Sequence, residues 1–140
     1  MKLVLDTSVL VAGFRSRQGA SNRLLRAVAR GEVQPLVTTA LFLEYESVLL
    51  RPEHRIVTGL GPTEIERILA SLASACEPVE VHFRWRPQLR DAADELVLEA
   101  AVNGQADALV THNVRDFVAA AGRFGLRVLT PQASLKELVK

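Results

Sequence analysis

Cysteine is almost absent. The single Cys76 excludes an internal disulfide and a cysteine-built zinc site. No apolar run approaches the roughly 20 residues that span a bilayer, and the N-terminus has no basic-then-apolar leader. The expectation is a cytoplasmic protein with no membrane association. There are only three histidines, His54, His82 and His112, and their spacing makes no ligand pattern. Several catalytic signatures are also missing: no G-x-x-x-x-G-K-[ST] loop, no G-x-S-x-G elbow and no G-x-G-x-x-G turn. An aspartyl phosphotransferase would need an acid where Ser8 stands. A phosphate-receiver domain would need an aspartate at Val81-His82 and a lysine at Thr130.

What remains is an ordinary globular composition. With 140 residues, 49% apolar and 24% charged, the chain is expected to form one domain over residues 1–140, long enough for a full core. No repeat, linker or low-complexity tract interrupts it. The net charge of +1 says little, but its distribution is uneven. Residues 1–31 carry Lys2, Arg15, Arg17, Arg23, Arg26 and Arg30 against one acid, Asp6. Residues 91–107 carry Asp91, Asp94, Glu95, Glu99 and Asp107 and no base. Of 17 bases, three are lysine and the other 14 arginine, whose planar fork matches phosphate. The asymmetry fits a metal centre beside a phosphate-binding rim, and equally a plain solvated surface.

Apolar patterning alternates strand and helix. Short strands are expected at 2–5, at Leu36–Val37, around Pro78–Val81, at 108–111 and at Arg127–Leu129. Thr7 or Ser8 caps the turn after the first strand, and FRSRQG reads as a loop. A helix over about 20–30 closes at Gly31, and another runs from Thr38 or Thr39 to about Leu50, ended by Arg51-Pro52. Thr63 with Glu66 reads as a capping box ahead of the apolar face Ile65, Ile68, Leu69 and Leu72. HFRWRPQLR is a loop, Asp91 caps a helix over about 92–103, and a short helix covers about 115–121. Pro131 opens the last helix from its preferred first position. Strands separated throughout by helices imply an α/β fold, a three-layer α/β/α sandwich on a five-stranded parallel sheet.

In such a sheet, ligands bind at the carboxyl ends of the strands. Asp6 follows Leu3-Val4-Leu5 directly and stands at that edge; its alternative role is to cap the next helix. Glu44 sits among Ala40, Leu41 and Val48 on one helix side, but Glu46 is similarly bracketed by Phe42 and Leu49-Leu50. Periodicity does not choose between the two. Asp94 lies one turn into its helix and reads either as a site acid or as a complement to the helix dipole. Asp116 follows the fourth strand on the correct side with Thr111 and Asn113, whereas Asp107 precedes that strand and reads as a turn residue. Thr7, Thr111 and Asn113 are the polar groups expected around these acids. Four carboxylates with no lysine partner call for a divalent cation, and oxygen donors favour Mg²⁺ or Mn²⁺ over zinc. Arg23, Arg26 and Arg30 share one helix face, opposite Leu25, Val28 and Ala29. Together with Arg15 and Arg17 they are candidates for gripping a phosphodiester backbone. Trp85 is open to two readings, stacking on a base or packing its loop, and Cys76 reads as packing.

The chain resembles the PIN-domain ribonucleases, and among them the VapC-like toxin components of toxin–antitoxin systems. The likeness rests on LVLDTSVLVAG (3–13), LEYESVLLRP (43–52) and LRDAADELVLEAAVNGQADALVTHNVRDF (89–117). It implies the five-stranded sandwich and a divalent-metal endoribonuclease, with RNA as substrate and an antitoxin as partner. A homodimer is a further partner to consider. Carried over residue by residue, the family's acids fall on Asp6, Glu44, Asp94 and Asp116, which selects Glu44 over Glu46. Many relatives have an acid where this chain has Asn113, a departure that leaves open one metal or two. The rival expectations are an RNA-binding module of little catalytic power and a protein that docks a partner.

Overall fold

The computed structural model describes residues 1–84 and 88–139. Strand β1 (Lys2–Leu5) is the middle of a five-stranded sheet in which every pairing is parallel. On one side follow β2 (Gln34–Val37) and β3 (Glu77–Pro78); on the other, β4 (Ala108–Val110) and β5 (Arg127–Leu129). The register sets Leu5 beside Val110 and Val110 beside Leu129, so β1, β4 and β5 end level. The chain leaves β1 towards β2 and later returns to β4 on the other side. Loops diverge at such a switch and leave a crevice over the strand ends.

Side chains alternate across a strand, so each strand feeds two cores. Leu3, Leu5, Ala108 and Val110 point to one face and pack with Val9 of α1 (Thr7–Arg15) and with Leu24, Ala27 and Val28 of α2 (Ala20–Ala29). Leu135 and Leu138 of α8 (Pro131–Leu138) join that cluster. Val4, Leu36 and Leu109 meet α3 (Thr39–Leu49), α5 (Pro62–Ala75), α6 (Ala92–Asn103) and α7 (Val114–Gly122), through Tyr45, Leu69, Val97 and Phe117 among others. Each fully buried Leu or Phe contributes about 1.5–3 kcal/mol. The α/β/α sandwich and the five-stranded parallel sheet are therefore as expected. Gly13 lets α1 and α2 approach closely: a Cβ there would stand 2.4 Å from Leu25 Cδ1. Asn22 then ties the pair by donating to the Gly13 carbonyl at 2.8 Å.

Several local expectations are overturned. Residues 7–15 form a full helix, because a run such as Val9-Leu10-Val11 has no clear period and hides helix as readily as strand. Arg51-Pro52 ends α3, yet Pro52 also begins α4 (Pro52–Thr58), for proline suits the first helical position. The same preference puts the start of α5 at Pro62, so Thr63 and Glu66 make no capping box; the Gly61 N–H donates to Glu64 Oε1 at 3.3 Å instead. Strand β3 is shorter and earlier than the expected 78–81, an edge strand of two residues where Pro78 has no N–H to offer. Thr111 lies just beyond β4. Ala29 and Ala40 are exposed; the buried face of α2 is Ser21, Leu24, Ala27 and Val28. Cys76 packs half-buried against the core at the end of α5, and burial pushes its thiol up to about 11. Trp85 lies outside the described residues.

Candidate active site

Asp6 follows β1 directly and takes the N-cap position of α1, but its carboxylate does not cap the helix. Thr7 and Ser8 are not caps either, since both lie inside α1. Instead Asp6 Oδ2 accepts two hydroxyl hydrogen bonds, from Ser8 at 2.8 Å and from Thr111 at 2.7 Å. Oδ1 receives none from the described residues. Asp6 is 6% exposed, and a carboxylate so desolvated is costly without a compensating charge. Among the described residues, no ion pair forms at Asp6, Glu44, Asp94 or Asp116.

The frame around Asp6 is rigid. Thr111 is fully buried, and its Oγ1 also accepts the Asn113 N–H at 2.9 Å. Tyr45 donates its hydroxyl to the Leu5 carbonyl at 2.5 Å, fastening α3 to the end of β1. Burial holds that phenol well above its usual range. Asn113 is exposed at the N-cap of α7 and its side chain makes no cap bond.

Two clefts open along this edge. The first, about 570 Å³, is lined by Asp6, Thr7, Ser8 and Glu44 together with Arg15, Arg51, His54 and His112. Glu44 is half-buried there, whereas Glu46 is exposed. The second, about 440 Å³, is lined by Asp91, Asp94 and Asp116 with Arg90 and Arg123. The first turn of α6 divides them, Ala93 lining one and Asp94 the other. Asp91 caps that turn by accepting the Ala93 N–H at 2.7 Å. Burial first, and then the negative charges of Asp6, Asp91 and Asp116, push the Asp94 carboxyl up to about 6. The charges of Asp6 and Asp116 thus reach Asp94 although the three acids lie on three elements.

The remaining acids of 91–107 turn elsewhere. Glu95 and Glu99 are 6% and 8% exposed. Glu95 Oε1 accepts the backbone N–H of Gln88 and of Leu89, the latter at 2.6 Å. Glu99 lies 3.9 Å from Arg84. Asp107 sits at the opposite end of the sheet, accepting the Lys2 N–H at 2.7 Å. Of the N-terminal arginines, Arg15 lines the first cleft. Arg26 is tied to Asn22 and the Arg17 carbonyl, and Arg30 pairs with Glu32 at 2.8 Å. Arg17 and Arg23 are exposed and line neither cleft.

Sequence reasoning missed Arg51 and His54 on the first cleft and Arg90 and Arg123 on the second. A signal for Arg51 existed: Glu44, Val48 and Arg51 stand at helical i, i+4, i+7, and all three line one cleft. His112 lines the first cleft, and its Nε2 lies 2.6 Å from Ser21 Oγ, joining α2 to the site loop.

The donors available are carboxylate and hydroxyl oxygens, the set that suits a hard divalent cation. As the side chains stand, no three His, Cys, Asp or Glu among the described residues converge tightly enough to hold a metal.

No curated protein matches the chain. A family model described as PIN domain does match, over residues 2–115. PIN domains are in general nucleases that bind RNA and typically depend on a divalent metal. The match takes in β1, β4, the two clefts' dividing helix and three of the four acids, with Asp116 one residue beyond its end. It covers far more than half of the sequence: the chain belongs to the PIN-domain family.

Proposed function

We propose that this chain is a divalent-metal-dependent endoribonuclease, a cytoplasmic VapC-like toxin whose partner is an antitoxin, folding as one domain over residues 1–140. One observation carries the reading: Asp6 is buried, fixed through Oδ2 by two hydroxyls, without an ion-pair partner among the described residues, and near enough to Asp94 for its charge to reach that carboxyl. Asp6, Asp94 and Asp116 would hold Mg²⁺ or Mn²⁺. When bound, such an ion polarises a phosphodiester and lowers the pKa of an attacking water. Ser8 and Thr111 keep the Asp6 carboxylate in one orientation, so little reorganisation accompanies substrate binding. Glu44, on the wall of the same cleft, would take a proton from the nucleophile. The products expected carry 5′-phosphate and 3′-hydroxyl ends.

A second reading, an RNA-binding PIN module with little catalysis, draws on the separation of the acids and on Asn113. Cleavage of a mixed RNA pool by purified protein, with Mn²⁺ and with EDTA, decides between them. The nuclease reading expects cutting with Mn²⁺ alone, lost in Asp6→Asn and Asp94→Asn. RNA binding without any cutting by the folded protein would select the module instead.

A further inference from the structure

Among the described residues, five arginines are engaged with their own neighbours. Arg26 bonds Asn22, Arg30 pairs with Glu32, Arg84 with Glu99 and Arg127 with Glu137, and Arg123 donates to Gln88. Arg15 and Arg51 are not. Both are exposed, and both line the first cleft together with Asp6 and Glu44. Yet neither guanidinium makes an ion pair or a hydrogen bond among the described residues. Arg15 is the last residue of α1, and Arg51 is the N-cap of α4, so the two come from different elements to one cavity. His54, one turn into α4, lines it as well. The same cleft has an apolar lining that includes Val11 and Val48. The volume of about 570 Å³ falls within the range of small-molecule sites, roughly 300–1,000 Å³.

Unpaired guanidiniums beside an apolar wall match one chemistry well. A nucleotide presents a phosphate that the planar fork receives in bidentate fashion and a base and ribose that pack on aliphatic surface. We propose that Arg15, Arg51 and His54 form a nucleotide subsite, holding the phosphate adjacent to the scissile bond while the attached nucleoside rests on Val11 and Val48. The subsite rests on the nuclease reading for its purpose, but its binding function does not depend on catalysis. It sits on the Asp6–Glu44 side of α6, whereas Asp94 and Asp116 open to the second cleft, so the strand enters the acidic edge through the first cleft. The arginines also offset the negative charge that otherwise repels a polyanion from four carboxylates.

The test works in EDTA, where no cutting occurs. Binding of a ten-nucleotide single-stranded RNA is followed by fluorescence anisotropy over a series of salt concentrations, for wild type, Arg15→Ala, Arg51→Ala, Arg51→Gln and the control Arg115→Ala. A parallel NMR titration compares 5′-AMP with adenosine. The subsite predicts that each Arg15 or Arg51 variant binds about tenfold more weakly and lowers the salt slope by about 0.7, the increment for one phosphate contact on a single strand. Arg115→Ala should stay close to wild type, and 5′-AMP should perturb Val11 and Val48 methyl signals where adenosine does not. Unchanged affinity and slope in the Arg15 and Arg51 variants, with unchanged urea midpoints, overturn the proposal. So does an equal loss in Arg115→Ala. Polyglutamate binding as tightly as RNA, with no response to 5′-AMP, overturns it in favour of an acidic protein partner. A protein that never cuts RNA with Mn²⁺ but shows the arginine dependence refutes the nuclease reading alone; one that cuts yet binds independently of both arginines refutes the subsite alone.

Discussion

Thr111 donates its hydroxyl to Asp6 Oδ2 at 2.7 Å, joining the end of β4 to the end of β1 across 105 residues of chain. Both side chains are buried, and the parallel register that sets Leu5 beside Val110 makes their meeting unavoidable. The bond fixes the one acid of the edge that has least freedom to move.

Thr111→Val keeps the shape and removes this donor, and it also strips the acceptor from the Asn113 N–H. We expect a loss of about 2 kcal/mol in urea unfolding, in line with unsatisfied buried groups. Metal-dependent cleavage should fall by about 10–100-fold, the usual consequence of losing a partner that orients a ligand. Full activity in a stable Thr111→Val protein would remove the hydroxyl from the account of Asp6.

Asp94 sets a pH dependence. Its carboxyl is raised from 3.8 to about 6, so between those values the folded chain holds a proton that the unfolded chain has released. Stability must therefore fall as pH rises through that window, and the penalty is complete above about pH 6. A shift of this size corresponds to about 3 kcal/mol for a dry site, and solvent at this half-buried group reduces it to about 1 kcal/mol. Asp94→Asn removes the penalty. In EDTA at pH 7.5 the variant should melt about 3 °C higher than wild type, and below pH 4 the two should coincide. Calorimetry across pH measures both arms, and a constant difference would contradict the assignment of the effect to Asp94.

Glu44 and Glu46 are separated by a paired comparison. Glu44→Gln should lower kcat by about 100-fold, the scale of a lost proton acceptor. Glu46, exposed and outside the cleft, should tolerate Gln with activity within about twofold. Equal losses at both positions would mean that the helix, rather than one carboxylate, matters to the reaction.

Glu95 is a structural acid. Its carboxylate accepts two backbone N–H groups from Gln88 and Leu89, and thereby holds the segment that leads into Asp91 and the second cleft. Glu95→Ala leaves both donors without that acceptor and should destabilise the chain by about 3 kcal/mol. Denaturant unfolding gives the number, and a neutral result would show that solvent satisfies those donors.

Much of the fold was legible because its signals are local. Pro131 opens α8, Asp91 caps α6 and Gly31 follows the end of α2 for reasons carried within four residues of each. Where two local signals competed, the reading failed. Pro62 prevailed over Thr63 as the start of α5, and Val9-Leu10-Val11 carried no period by which to recognise α1. Of the acids, Asp107 was separable because strand direction alone puts it at the far end of the sheet. Glu95 and Asp94, adjacent in sequence, were not separable by composition. The helix sends one into the fold and the other over the edge, since neighbours on a helix diverge by about 100°.

The α/β alternation, the family and the edge on which Asp6 stands are legible along the chain, because they follow from apolar periodicity and from one continuous motif near each end. Tertiary contacts set how the acids and bases are held there. They paired Thr111 with Asp6 and left Arg15 and Arg51 on the first cleft without a partner among the described residues. Those outcomes depend on strand register and on which helices flank the switch point. Both are set by burial of Leu3, Val4 and Leu5 against residues far along the chain, and no local pattern encodes that.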